Sequence, residues 1–165
     1  MGEGMHRRAD MIQKGHGGVA ELVYRTCLEN RSVARHREFE SHLLRIMKTS
    51  ITATFTIESA HMLPHHQGKC ARLHGHEYSL EVTVSGPIQT EGPAEGMVMD
   101  FAELEEVVRR EVIDQWDHQY LNDILPFPTT AENLAAEIYR RVSAHLPVSR
   151  VRLWETKLYF VDVEA

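Results

Sequence analysis

Cysteine is scarce in this chain, which has only Cys27 and Cys70 among its 165 residues. Two cysteines cannot build the disulfide framework that stabilises many small secreted proteins. A free cysteine among polar neighbours is instead typical of a reactive thiol in a reducing compartment. We therefore expect a soluble cytoplasmic protein whose stability depends on an ordinary hydrophobic core.

Long apolar runs and excess positive charge are also missing. No stretch approaches the ~20 apolar residues that span a bilayer, and the polar N-terminus lacks the apolar segment of a secretory signal. The formal net charge is −6, whereas nucleic-acid-binding surfaces carry basic patches. We expect neither a membrane nor a nucleic acid as a partner, although a local basic pocket for a phosphorylated small molecule remains compatible with this charge.

The chain divides into two parts of different character. Residues 1–46 are rich in glycine, histidine and charge and show only a weak helical rhythm, so we expect an N-terminal extension that is disordered or loosely helical. Residues 47–165 carry clear strand and helix patterns, and their length suits one compact domain.

Four segments of residues 47–165 have strand patterns. Residues 51–61 are rich in threonine, isoleucine and phenylalanine, and apolar residues alternate with polar ones over 76–84. Residues 97–99 look like a short apolar continuation of the second strand. Residues 151–155 and 158–163 predict a final hairpin.

Two helices are predicted between the second and third strands. Asp100, with Glu103 three residues later, is typical of a capped helix start. Thr129 or Thr130 caps the second helix, which Pro147 ends. The apolar residues at helical spacing are Phe101, Leu104, Val107, Val108 and Val112 in the first helix and Leu134, Ala135, Ile138, Tyr139 and Val142 in the second.

Histidines gather in one segment: five of the eleven lie between His61 and His76. Every second side chain of a strand shares a face, so His74 and His76 project together. Antiparallel pairing with the preceding strand would bring His61 beside them. Three histidines with an open fourth position are typical of a catalytic zinc site, whereas unrelated surface histidines would not explain this spacing. We expect His65 and His66, in the intervening loop, to face solvent or substrate.

Cys70 lies four residues before His74, between the cationic residues Lys69 and Arg72. Cationic neighbours favour the thiolate, which makes Cys70 a candidate general base or nucleophile. Two alternatives stay open: a small buried apolar residue, or a fourth zinc ligand that would close the site.

Asp117 and His118 follow Trp116 at the end of the first predicted helix. A carboxylate that orients a histidine is a common proton-relay element. Adjacent helical residues point about 100° apart, however, so the spacing alone does not predict contact. The alternative is a histidine that interacts with the C-terminal helix dipole.

Glu155 shares its strand parity with Val151 and Leu153 and so points to the apolar face. A carboxylate there needs a partner. An amidine-like ligand edge that makes two hydrogen bonds would serve; an ion pair with Lys157, Arg150 or another base is the alternative.

Several short motifs occur in a fixed order along residues 47–165. They are Phe55-x-x-x-x-Ala60-His61, Cys70-x-x-x-His74-Gly75-His76, Met97-Val98-Met99-Asp100-Phe101, Leu104, Asp117-His118-x-Tyr120-Leu121-Asn122, Thr130-Ala131-Glu132-Asn133 and Glu155-Thr156. Together they resemble the 6-pyruvoyltetrahydropterin synthase superfamily, and in particular its bacterial 6-carboxytetrahydropterin synthases of the queuosine pathway. The resemblance leaves out the first 46 residues.

The resemblance implies an α+β tunnelling fold, in which a four-stranded antiparallel sheet carries two helices on one face in the order ββααββ. Subunits would assemble through their sheets into trimers or hexamers. It also implies that Zn²⁺ is the cofactor, with His61, His74 and His76 as its ligands.

The resemblance assigns further roles residue by residue. Cys70 would abstract a proton from the substrate side chain, and Asp117 and His118 would form a relay contributed across a subunit interface. Glu155 would anchor the pterin ring, with Thr130 assisting, although the adjacent threonine is an equally good chemical candidate for that part.

The short Cys-x-x-x-His-Gly-His spacing fits the carboxy subgroup, since the metazoan pyruvoyl enzymes place more residues between the cysteine and the histidine pair. A branch that cleaves dihydroneopterin has glutamate in place of Cys70. The implied reaction converts 7,8-dihydroneopterin triphosphate to 6-carboxytetrahydropterin, acetaldehyde and triphosphate. The alternatives are a 6-pyruvoyltetrahydropterin synthase, a non-catalytic pterin-binding module and a zinc-stapled structural protein.

Overall fold

The computed structural model describes residues 48–164. Within them, four strands form one antiparallel sheet in the order β1-β2-β3-β4. The expectations for residues 1–46 lie outside the described residues. The strands are β1 (Thr49–His61), β2 (His74–Gly86), β3 (Val148–Trp154) and β4 (Phe160–Glu164).

Helices fill the connection between β2 and β3. None of the described helices is long and apolar enough to cross a membrane. The helical segments are α1 (Phe101–Val108), a π-helical turn (Arg109–Ile113) that continues it into α2 (Asp114–Trp116), the single-turn α3 (Leu121–Ile124) and α4 (Ala131–Ser143).

Side chains cap both predicted helix starts. The Asp100 carboxylate accepts a hydrogen bond from the Ala102 N–H at 2.9 Å. The Thr130 hydroxyl accepts one from the Asn133 N–H at 3.4 Å, which decides between the two adjacent threonines. The donor to Asp100 is thus the second helical residue and not Glu103, and among the described residues no hydrogen bond returns from Glu103, so the helix start is capped without a capping box.

The hydrophobic core lies between the sheet and the helices. Alternation in β2 places Tyr78, Leu80 and Val82 in it, each at most 2% exposed. Burial of such a side chain contributes about 1.5–3 kcal/mol. Phe101 is an exception to the prediction, since it is 60% exposed. The helical residues buried as predicted are Leu104, Val107, Val108, Val112, Leu134, Ala135, Ile138 and Val142.

Two segments differ from the predictions. Residues 97–99 do not form a strand: Val98 and Met99 are apolar because they pack against the edge of the core. The short helix α3 was not predicted, since four residues are too few to show a helical period. The last hairpin is present, but β3 starts earlier than expected, at Val148.

Candidate active site

Three histidine rings converge where β1 ends and β2 begins. His61 is the last residue of β1, and the antiparallel register places it directly opposite His74. His76 lies two residues further along β2 on the same face. The ring centroids are 4.6 to 5.2 Å apart, and one ligand atom from each ring lies within 4.8 Å of the others. The three histidines are therefore positioned to bind a metal ion.

The ring nitrogens show which atoms are free to act as ligands. Nδ1 of His61 lies 2.8 Å from the Thr129 carbonyl oxygen, and Nδ1 of His74 lies 2.7 Å from the Arg72 carbonyl oxygen. A carbonyl only accepts, so both Nδ1 atoms carry the proton and both Nε2 lone pairs are free. Nε2 of His74 is buried without any hydrogen-bond partner. A metal ion at this point would satisfy that orphaned nitrogen, so the residues fit the zinc expected from the sequence.

Burial also favours the neutral form of these rings. His61 is completely buried, and burial, with a smaller contribution from His74, lowers its pKa below the ordinary value. Burial likewise lowers the pKa of His76, against the opposing influence of Glu155. Neutral imidazole is the form that coordinates a metal.

Glu155 brings a carboxylate to the same cluster. It follows the last residue of β3, and its Oε1 lies 3.9 Å from Nε2 of both His61 and His76. Among the described residues these two rings are the bases within 4.0 Å of the Glu155 carboxylate. An ion pair with Lys157 or Arg150 is not formed, and histidine is the other base that the alternative allowed. Glu155 remains 30% exposed, which leaves its oxygens accessible to a ligand.

The sequence analysis missed Tyr78, which also reaches the cluster. Its hydroxyl lies 3.4 Å from Nε2 of His61, and its side chain is buried. Burial, then the negative charge of Glu155, raises the pKa of Tyr78 above its ordinary value. The strand parity that groups His74 with His76 extends to Tyr78, so the same alternation could have identified it.

Cys70 lies in a short 3₁₀ turn, Lys69–Ala71, inside the loop that joins β1 to β2. The loop is closed by a hydrogen bond of 2.8 Å from the Leu63 N–H to the Cys70 carbonyl. The thiol is partly buried. Cys70 is not part of the described metal-ligating group, and neither are His65 and His66. The arrangement disfavours Cys70 as a fourth ligand and leaves the metal site open.

Asp117 and His118 are in contact although they are adjacent in sequence. Nδ1 of His118 donates to the Asp117 carboxylate at 2.9 Å. Contact is possible because α2 ends at Trp116, and His118 then adopts a left-handed backbone with φ of 58°. The other Asp117 oxygen accepts from the Glu58 N–H at 2.8 Å, which ties the pair to the edge of β1.

The pKa of His118 is shifted in the opposite direction from those of His61 and His76. The Glu58 N–H and the His118 ring hold the pKa of Asp117 below its ordinary value. The hydrogen bond and charge of Asp117 raise the pKa of His118. The His118 side chain is 73% exposed. Asp117 therefore favours the protonated form of His118.

A cleft of about 510 Å³ joins the two regions. His76 of the metal-ligating cluster and His118 of the exposed pair both line it. The remaining lining residues come from the paired ends of β1 and β2 and from the segment after His118, and include Glu58, Glu77 and Tyr120.

The two adjacent threonines have different environments. Thr130 caps α4. Thr129 is completely buried; its carbonyl accepts from His61, and its hydroxyl donates to Asn122 at 3.3 Å. The hydroxyl nearer to solvent is therefore that of Thr130.

Comparisons with known proteins agree with this geometry. A family model described as 6-pyruvoyl tetrahydropterin synthase matches residues 50–165. A 6-carboxy-5,6,7,8-tetrahydropterin synthase of Haemophilus influenzae is 34% identical over 137 residues, which cover 69% of this chain and 97% of that protein. One from Synechocystis sp. is 46% identical over 90 residues, which cover 53% of this chain and 70% of that protein.

The solved structure of Caenorhabditis elegans 6-pyruvoyl tetrahydropterin synthase has a TM-score of 0.64 and is 24% identical, covering 72% of this chain and 96% of that chain. Its likeness confirms the expected α+β fold, a four-stranded antiparallel sheet with helices. The family model covers most of the chain, from the second residue of β1 through the rest of the strands and helices described above. The chain belongs to the 6-pyruvoyl tetrahydropterin synthase family.

Proposed function

We propose that this protein is a zinc-dependent 6-carboxy-5,6,7,8-tetrahydropterin synthase. It converts 7,8-dihydroneopterin triphosphate to 6-carboxytetrahydropterin, acetaldehyde and triphosphate. One observation carries the proposal: three ligand nitrogens lie within 4.8 Å of one another, next to the accessible carboxylate of Glu155. The Haemophilus and Synechocystis relatives are named for this synthase, which supports the same reaction.

His61, His74 and His76 hold the zinc ion in this proposal. The carbonyls of Thr129 and Arg72 fix the Nδ1–H tautomers of His61 and His74 and so keep both Nε2 lone pairs available. When bound, zinc supplies Lewis-acid polarisation of the substrate's side-chain oxygens.

Glu155 anchors the pterin ring. Its two oxygens can accept a pair of hydrogen bonds from the amino-pyrimidine edge, and such paired contacts to a carboxylate are strong and directional. Because Oε1 lies 3.9 Å from Nε2 of both His61 and His76, a pterin held there would lie beside the metal-ligating cluster. The Thr130 hydroxyl assists at the ring edge.

Cys70 removes the proton from the substrate side chain. The thiolate is the reactive form of cysteine, and as a general base it would accept the proton that leaves the substrate side chain. The loop hydrogen bond from Leu63 fixes the turn that carries Cys70, and the thiol's partial exposure leaves it accessible to substrate.

His118 shuttles a proton, and Asp117 orients and charges it. The His118 side chain lines the cleft together with His76 but is still 73% exposed. We therefore place this pair at an interface, where it serves the site of a neighbouring subunit in a homo-oligomeric trimer or hexamer.

Besides the other subunits, the proposed partner is the small-molecule substrate, 7,8-dihydroneopterin triphosphate. The product feeds cytoplasmic synthesis of the deazaguanine of queuosine.

Product analysis tests this function. The purified, zinc-loaded chain is incubated with 7,8-dihydroneopterin triphosphate, and the products are identified by mass spectrometry, with Cys70→Ala as the matched control. We expect 6-carboxytetrahydropterin and acetaldehyde from the natural chain and neither from the variant. A pyruvoyl product would place the chain with the 6-pyruvoyltetrahydropterin synthases, and bound but unconsumed substrate would indicate a pterin-binding module.

A further inference from the structure

Asn122, in the single-turn helix α3, uses its side-chain amide to bind the backbone next to His61. Its Oδ1 accepts from the Met62 N–H at 2.9 Å, and its Nδ2 donates to the Met62 carbonyl at 2.9 Å. One contact requires an oxygen and the other a nitrogen, so the orientation of the amide is fixed. The amide thereby continues the pairing of β1 by one residue beyond its last sheet partner.

The same amide reaches the group that holds the ring of His61. Oδ1 of Asn122 also accepts from the Thr129 hydroxyl at 3.3 Å, and the Thr129 carbonyl accepts from Nδ1 of His61 at 2.8 Å. His61 and Thr129 are both completely buried. Water is therefore excluded from replacing either contact, and each lost hydrogen bond would leave a buried polar group unpaired.

We propose that Asn122 is a positioning residue for the metal centre. It hydrogen-bonds to Met62, the residue after His61, and to Thr129, whose carbonyl sets the tautomer of His61. These contacts hold Nε2 of His61 beside the two ligands on β2. The inference rests on the metal site proposed above. It gives a role to Asn122, which belongs to one of the sequence motifs but has no part in the chemical steps.

Zinc affinity measures this role directly. Partners of metal-ligating side chains typically contribute 10- to 100-fold to metal affinity. We expect Asn122→Ala, which removes all three contacts, to weaken zinc binding at least ten-fold. Asn122→Asp, which loses the donor to the Met62 carbonyl, should also weaken it. Thr129→Val loses the hydroxyl and should weaken binding less, while Thr129→Ser keeps the hydroxyl and should bind as the natural chain does.

The experiment uses the full chain. Each apoprotein, prepared with a chelator, is titrated with Zn²⁺ against a chromophoric competitor and with Co²⁺, whose visible spectrum reports ligand geometry. Gln89→Glu is the matched control, since the Gln89 amide also donates to a backbone carbonyl, that of Val98, but Gln89 lies outside the metal-ligating group. This control should leave both the affinity and the spectrum unchanged.

A purely structural role predicts a different result. Thermal unfolding of the apoproteins would then show lower Tm values for the Asn122 variants, while the folded protein would bind Zn²⁺ with unchanged affinity and give an unchanged Co²⁺ spectrum; that outcome overturns the inference. If Asn122→Ala does not fold, the comparison of Thr129→Val with Thr129→Ser decides in its place. Failure of the natural chain to bind zinc would overturn the proposed metal site as well, so the two failures are distinguishable.

Discussion

Histidines in two regions of this protein differ in burial, in hydrogen-bond partner and in the direction of their pKa shifts. His61 is buried, donates to a neutral carbonyl and has a lowered pKa. His118 is 73% exposed, donates to a carboxylate and has a raised pKa. Burial and the charge of the hydrogen-bond partner, rather than the residue type, decide the direction of each pKa shift. Burial favours the neutral imidazole that binds a metal, whereas the carboxylate partner favours the protonated form, which can donate a proton.

The two regions also differ in whether one chain supplies all of the residues that surround them. The three histidines positioned to bind a metal ion come from the ends of two paired strands, so one chain supplies all three. Asp117 and His118 are fixed to Glu58 at the edge of β1 but remain open to solvent on their other side. In the proposed oligomer, a second subunit would cover this exposed side of Asp117 and His118.

Loss of a metal ligand should have the largest effect. We expect His76→Ala to lose both bound zinc and activity, because two histidines cannot hold the ion at neutral pH. Zinc content by mass spectrometry of the purified protein is the measurement. His65→Ala is the control, since His65 lies outside the metal-ligating group. Stoichiometric zinc in His76→Ala would remove that residue from the site.

Cys70→Ala should separate the chemistry from the metal. We expect turnover to fall by about 10²–10⁴-fold, the usual contribution of a general base. Zinc content should not change, since Cys70 is not part of the ligand group. Full activity with zinc retained would exclude Cys70 from the mechanism.

Mixed oligomers test whether the exposed pair serves a neighbouring subunit. Cys70→Ala and His118→Ala should each be nearly inactive. When the two are unfolded together and refolded at equal concentrations, about a quarter of the shared sites would contain both natural residues, and activity should recover to that level. Each variant refolded alone is the control, and absence of recovery in the mixture would place both residues in one subunit's site.

Glu155→Gln should act on substrate binding. The amide replaces one acceptor oxygen by a donor and removes the negative charge, so we expect KM to rise roughly ten-fold or more, the cost of a hydrogen bond that involves a charged group. kcat should change less, and zinc should be retained. Steady-state kinetics separates the two constants; an unchanged KM would assign the carboxylate a role other than pterin binding.

Asp117→Asn should have the smallest effect on activity, and it should move the pH–rate profile in a defined direction. Asp117 raises the pKa of His118, so its loss lowers that pKa. If protonated His118 delivers the proton, activity declines as pH rises through its pKa, and in the variant this decline moves to lower pH. A pH–rate profile measures the shift. An unmoved alkaline limb would separate His118 from the rate-determining proton transfer.

The sequence predicted the elements that depend on local patterns. Residue composition marked β1, alternation marked β2 and grouped His74 with His76, and short polar side chains marked both helix starts. Those signals are local because strand and helix periods and caps depend on neighbouring residues. The apolar segment 97–99 misled the strand prediction, since an apolar run shows burial and not the identity of the surface that buries it.

Sequence by itself determined the fold class, the family and the set of candidate ligands, because these follow from periodicity and from motifs of fixed spacing. Only the tertiary structure decided that Asp117 contacts His118, which required a left-handed backbone at His118. It alone brought Glu155 and Thr129 to His61, and Asn122 to the neighbouring Met62. Those contacts join residues far apart in the chain, and their geometry depends on strand register and loop closure, which no local pattern specifies.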